Sequence, residues 1–265
     1  MKRRSFVKAS LLTGAAVTAT SALSIAATDN IKKPALEFYE LRVYSLSNDK
    51  QQKLVEDYYR KAAIPALNRM GVKHVGVFTE LKPAGHTKVY VMVPYNSIDH
   101  FDDVSKNLEN DARYKAEGSA YLNSPPAEPA YIRIESSLLK AFTHMPAMEV
   151  PPDRPRIFEL RQYQSASESA GKKKIEMFNE GGEIDIFKRL GFKPVFWGET
   201  LIGSSRPNLT YMVTFDDMEA HAKLWKSFGS DPKWKEISSI PEYANAVLIS
   251  KINSTLLVPA DFSQI

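Results

Sequence analysis

"FELRQY" (residues 158–163) has the alternation of a strand, and the chain has already spelled "YELRVY" at residues 39–44. In the earlier copy Tyr39, Leu41 and Val43 fall on one face, and Glu40, Arg42 and Tyr44 on the other. Period-2 patterning of this kind reads as a strand with two distinct faces. The echo then runs the length of the chain. "NRMGVK" (68–73) returns as "KRLGFK" (188–193), "VYVMVPYNSI" (89–98) as "LTYMVTFDDM" (209–218), and "NDARYK" (110–115) as "SDPKWK" (230–235). "SSLL" (136–139) returns as "STLL" (254–257). Blocks repeated in the same order at a near-constant shift mean duplication of a module of about 110 residues. Between the copies, "THMPAMEVPPDRP" (143–155) holds four prolines and reads as a linker.

Each copy orders its elements alike. After the first strand comes a helical segment with Leu54, Tyr58 and Ala62 in register, interrupted near Pro65 and closed by Gly71. "VKHVGVFTEL" and "TKVYVMVPY" are the next strands, "SIDHFDDVSKNLEND" a second helix, and "EPAYIRIESSLL" a last strand. In the second copy Asp216 and Glu219 suggest a capping box, with Met218, Ala222, Trp225 and Phe228 as the buried stripe. Asp231-Pro232 opens a further turn. The order β-α-β-β-α-β is that of a ferredoxin-like module. Two copies are too few for a solenoid, so each pairs with its twin. The expected fold is α+β, two tandem ferredoxin-like repeats pairing within one chain.

"LWKSFGSDPKWKE", preceded by "FELRQY", "RLGFKPVFWGETLIG" and "LTYMVTFDDMEAHAKLWKSF", resembles the NIPSNAP family over residues 156–258. The first copy departs from that pattern. Asp111-Ala112 stands for Asp-Pro, Tyr114 for Trp234, and Val77 or Phe78 for Trp197. The resemblance implies a dimeric α/β-barrel arrangement, formed here within one polypeptide, with helices outside and a cavity between the sheets. It carries no agreed reaction. The implied organisation is repeat 1 over 35–142, linker 143–155, repeat 2 over 156–258 and a C-terminal tail 259–265.

The N-terminal segment predicts destination. Lys2, Arg3, Arg4 and Lys8 precede a weakly apolar run ending in small residues around Ala27. Paired arginines followed by Ser5 and Phe6 resemble a twin-arginine export signal over 1–27, so the expected location is periplasmic or secreted. The whole chain carries 35 Lys and Arg against 31 Asp and Glu. Cleaving the segment removes four basic and no acidic residues, leaving the mature charge near zero. The expected partners therefore exclude nucleic acid and a stable membrane anchor. There is no cysteine, hence no disulfide, thiolate nucleophile or Cys-ligated metal. Paired sheets with outer edges would also allow a homodimer.

Candidate ligand-binding residues follow from which face of the first strands looks inward. If Leu41 and Leu160 meet the helices, then Glu40, Arg42 and Tyr44 face Glu159, Arg161 and Tyr163 across the central space. Two arginines and two tyrosines there could hold a small anionic or carbonyl-bearing molecule; packed ion pairs along the sheet would use the same residues. Trp197 and Glu199 share a face of the second strand of repeat 2, and His74 is expected in the corresponding strand of repeat 1, next to the cavity. No two histidines stand at metal-ligand spacing, and there is no GxSxG elbow, P-loop or GxGxxG, so no metal or cofactor is expected. Lys172-Lys173-Lys174 reads as a solvated helix start. Two classes stay open: a small-molecule binder, with or without cofactor-independent catalysis, and a protein–protein interaction module.

Overall fold

The computed structural model describes residues 35–265; the expected export signal over 1–27 lies outside them. Repeat 1 runs β1 (Phe38–Ser45), α1 (Asp49–Tyr58), a π-helical turn (Tyr59–Ala63), α2 (Ile64–Arg69), β2 (Gly76–Glu80), β3 (Lys88–Tyr95), α3 (Ile98–Asn110), α4 (Ala112–Glu117), α5 (Ser119–Leu122) and β4 (Arg133–Ala141). Repeat 2 runs β5 (Ile157–Gln164), α6 (Glu168–Phe178), α7 (Glu183–Leu190), β6 (Lys193–Ile202), β7 (Asn208–Phe215), α8 (Met218–Ser230), α9 (Pro232–Ser238), a 3-10 turn (Pro241–Tyr243), α10 (Asn245–Leu248) and β8 (Lys251–Pro259).

The eight strands close into one antiparallel barrel in the order β1-β3-β2-β8-β5-β7-β6-β4. Within it, β4-β1-β3-β2 and β8-β5-β7-β6 are two copies of the ferredoxin-like sheet. The copies join where β2 meets β8 and where β4 meets β6. Closure leaves these strands no free edge, which removes the edge-pairing reason for a homodimer. The C-terminal segment crosses back to repeat 1: Ala260 N–H donates to Val77 O (2.9 Å) and Gln264 N–H to Val75 O (3.0 Å). Gly76 is required at that crossing, because a Cβ there would lie 2.7 Å from Ile265.

The inward face is the opposite of the one expected. Tyr39, Phe78 and Met92 of repeat 1 pack with Phe158, Phe196 and Met212 of repeat 2 in one fully buried cluster, which also takes Leu41 and Leu160. This is the barrel interior, and side chains fill it, as an eight-stranded barrel of this size allows. Glu40, Arg42 and Tyr44, like Glu159, Arg161 and Tyr163, face outward beneath their own helices. Arg42 and Arg161 therefore do not meet across a central cavity. The physical reason is coverage. Each sheet is buried on both faces, by helices on one side and by its twin on the other, so alternation alone does not say which face is which. A narrow apolar barrel offers few donors for a carboxylate, whereas on the outer face Arg42 and Ser136 supply them to Glu40, and Arg161, Ser254 and Trp225 to Glu159.

Three local features refine the helices. Pro65 has no N–H for the Lys61 carbonyl, and its ring crowds that group. The preceding turn widens to π, and Ile64 N–H reaches Tyr59 O. The cap of α8 is Asp217 rather than Asp216, accepting from Ala220 N–H at 2.8 Å. Asp216 instead bonds Arg154. With that one-residue change, Met218 and Ala222 lie exposed, and α8 is seated by His221, Leu224, Trp225 and Phe228.

Candidate functional site

Each repeat holds a Glu-x-Arg-x-Tyr cluster between its sheet and its helices, and the two are furnished differently. In repeat 2, Glu159 is almost fully buried and saturated with donors. Arg161 Nη1 and Ser254 Oγ both reach Oε1 at 2.6 Å. Trp225 Nε1 reaches Oε2 at 2.7 Å, and His221 Nε2 lies 3.1 Å from the same oxygen. Burial alone would push this carboxyl up; Arg161 and the hydrogen-bond donors outweigh it and hold Glu159 below its usual range. Arg161 is clamped as well. Its guanidinium sits 4.6 Å from the centre of the Trp225 ring and donates to Tyr163 Oη at 3.2 Å. Its Nε is buried without a partner.

The rest of that space is packed. Trp197 lies flat on Tyr211, ring centres 5.4 Å apart, with no exposure and no partner for Nε1. Lys174, expected in solvent, is instead buried and pairs with Glu183 at 2.8 Å beneath Phe178 and Trp234. Burial pushes Glu183 up against the opposing pull of Lys174. An ion pair so enclosed leaves no room for a ligand, and its geometry has to offset its desolvation.

Repeat 1 keeps the frame but not the filling. Arg42 makes a bidentate pair with Glu40 (Nε to Oε1 2.7 Å, Nη2 to Oε2 2.8 Å), and Ser136 Oγ reaches Oε1 at 2.7 Å. Where repeat 2 places Trp225, the corresponding position on α3 is Ser105, so no indole lies over the guanidinium. The Arg42 side chain is 31% exposed, against 18% for Arg161. A cavity of about 20 Å³ opens beside it, lined by Tyr58, Tyr59, Val93, Tyr95 and Ser105. The π turn Tyr59–Ala63 forms part of its wall, and such turns often mark functional positions.

Phenols dominate the surroundings. Tyr44 and Tyr59 share a hydrogen bond of 2.8 Å, Tyr121 donates to Tyr44 at 3.2 Å, and Tyr58 and Tyr114 are 2.8 Å apart. Burial pushes Tyr44, Tyr58 and Tyr59 well above the ordinary phenol value, so they stay neutral donors. Arg42 stays charged: burial would lower it, and the pairing with Glu40 works against that. The site can therefore receive a negatively polarised oxygen.

The other expected residues lie elsewhere. His74 sits in the exposed turn before β2 with left-handed backbone (φ 60°), away from both clusters. Glu199 lines a polar surface cavity of about 160 Å³ with Glu168, Lys172 and Arg206. Local sequence patterns do not mark Tyr59, Tyr95, Ser105, His221 or Trp225 as site residues. Aligning the two copies pairs Ser105 with Trp225, and that contrast was the available signal. No group of His, Cys, Asp or Glu among the described residues is arranged to hold a metal ion.

Solved structures share the barrel. A Fusobacterium nucleatum protein named a "putative monooxygenase" matches at TM-score 0.58 and 14% identity, over 85% of this chain and 93% of its own. A "putative monooxygenase" of Lactobacillus acidophilus matches at 0.57 and 8%, over 84% and 94%. An "anthrone oxidase-like protein" matches at 0.50 and 11%, over 84% and 91%. At these identities the likeness is one of fold. No curated protein matches the chain. The NIPSNAP family model matches twice, over residues 39–142 and 158–264, so that both halves are accounted for. The chain belongs to the NIPSNAP family, with two copies of its domain closed into a single barrel.

Proposed function

We propose that the chain is an exported protein that binds a small anionic or carbonyl-bearing molecule, and that Arg42 anchors it between sheet and helices of repeat 1. One observation carries this reading. Of the two buried Glu–Arg frames, that of repeat 1 leaves its arginine side chain the more exposed, 31% against 18%, beside a cavity walled in part by neutral phenols. Room for about one oxygen-sized group suits the carboxylate or carbonyl end of a ligand whose remainder lies toward solvent. The export part rests on the basic, paired-arginine start of the sequence. Sharing a barrel with proteins named monooxygenases transfers no chemistry, and no reaction is assigned.

Native mass spectrometry of protein purified from its own cell envelope tests the reading. A co-purified small molecule is expected on the wild type and absent from Arg42→Gln. If the mass is that of the bare chain in both, the reading falls. Recovery only in the cytoplasmic fraction would refute export. The filled barrel interior favours a second reading, an interaction module, which instead expects a protein in fixed stoichiometry in the same spectrum.

A further inference from the structure

Arg156 is the residue just before β5, and it is spent on neither cluster. It shares the inward face with Phe158 and reaches Thr214 on the neighbouring strand, so its side chain closes one end of the barrel. It is 6% exposed. Its Nη2 donates to Pro152 O at 2.8 Å, its Nη1 lies a long 3.4 Å from Thr214 Oγ1, and its Nε has no partner. A guanidinium presents five N–H donors and stays charged. Those two acceptors are neutral, and among the described residues no carboxylate forms an ion pair with it. Burial, with Arg154 nearby, pushes it down from the ordinary arginine value against a weaker opposing pull from Asp216. An uncompensated interior cation of this kind is costly to keep.

It also lines a cavity. Between the linker and the C-terminal segment lies a space of about 510 Å³, walled by Val150, Pro152, Phe158, Ala260 and Ile265 as well as Arg156. The other charged groups on its wall are Asp153, Arg154 and Asp261. Arg154 is engaged by Asp216 and Asp261 by Arg60. The cavity thus sets the apolar part of its wall beside one guanidinium that forms no ion pair among the described residues.

We propose that this cavity binds a small monocarboxylate with an apolar body, its carboxylate taking the unpaired N–H groups of Arg156. A single negative charge fits better than a phosphate dianion. There is one uncompensated guanidinium, and Asp153 and Asp261 stand on the same wall. The apolar body lies against Phe158, Ile265 and the linker prolines. Nε is sealed from solvent, so the ligand enters as the linker segment 150–155 yields. This site does not depend on the one at Arg42.

Benzoate and acetate are the probes, titrated by calorimetry into the intact exported chain at constant ionic strength. Benzoate is expected to bind wild type once at this cavity and more tightly than acetate. Arg156→Gln is expected to weaken it at least about tenfold, equivalent to about 1.4 kcal/mol, while Arg42→Gln leaves this site unchanged. Without ligand, Arg156→Gln and Arg156→Met should melt at or above the wild-type temperature, because each removes a charge with no partner. Equal benzoate affinity in Arg156→Gln, or no binding of either probe to wild type at millimolar concentration, overturns the proposal. A fall of about 5 °C or more in both ligand-free variants also overturns it, since the arginine would then be a structural tie between barrel and linker. If Arg42→Gln alone abolishes benzoate binding, the carboxylate site is the one in repeat 1, and the proposal fails while the earlier reading stands.

Discussion

Removing Arg161 should cost stability, and the structure says roughly how much. Arg161→Ala strands Glu159, whose side chain is 3% exposed. Removing one partner of a buried pair typically costs about 3–5 kcal/mol. Here Ser254, Trp225 and His221 still contact the carboxylate, which places the loss at the lower end, about 3 kcal/mol. For a domain of this size that is a fall in Tm of about 6–12 °C. The pH dependence has a definite sign. Glu159 is held below its unfolded value, so its contribution is present above about pH 4.3 and is lost as pH falls through the lower folded value. In Arg161→Ala that support is gone, so the gap between variant and wild type should narrow as the pH drops below about 4.3. Differential scanning calorimetry from pH 7 to pH 3.5 measures both effects. A fall of less than about 2 °C at pH 7, or a gap that widens in acid, would refute the view that Glu159 is a buried carboxylate dependent on Arg161.

Other perturbations probe the remaining parts. Phe196→Ala opens a hole in the filled barrel interior and should cost about 3–5 kcal/mol by urea unfolding; a cost below about 1 kcal/mol would mean that the interior is not packed as described. Lys174→Met leaves Glu183 buried without its cation and should destabilise, while adding Glu183→Leu should recover most of the loss, which a double-mutant cycle reads directly. Asp217→Ala removes the cap of α8 for about 1 kcal/mol, whereas Asp216→Ala touches only half-exposed pairs and should stay within about 0.5 kcal/mol. Equal effects of those two would put the cap one residue earlier.

The duplication was legible because a shift of about 120 preserves both the strand alternation and the glycines that end the helices. The strand order followed, since a β-α-β-β-α-β unit has few ways to pair. Sidedness was not legible. In a sheet wetted on one face, the polar set of an alternating strand points to water, but here neither face does. Glu159 and Tyr44 go to the helix side because partners that satisfy them are there, Trp225 and His221 for the first and Tyr59 and Tyr121 for the second. Those of Glu159 sit far away in sequence: Trp225 and His221 contact it from more than sixty residues downstream. No local window contains that information. Lys174 is buried by a mixture of near and far groups: Glu183 from the next helix, Phe178 from its own, and Trp234 from α9.

The two halves show how one frame can diverge. Both retain the carboxylate, the guanidinium, a serine on the last strand and a tyrosine two residues after the arginine, because each of these sits on sheet positions that the barrel holds in register. The helices above are free to change. In repeat 2 an indole, an imidazole and a buried lysine–glutamate pair close over the frame, and every carboxylate contact is made within the protein. In repeat 1 the corresponding helix offers Ser105 instead of Trp225, the first helix loosens into a π turn around Pro65, and phenols replace the ionic filling. Exchanging those helix residues would test whether that contrast is functional. Ser105→Trp should cover Arg42, removing the co-purified mass without lowering Tm, since the sheet frame beneath is untouched. If the mass persists with tryptophan in place, the opening over Arg42 is not the route to the ligand.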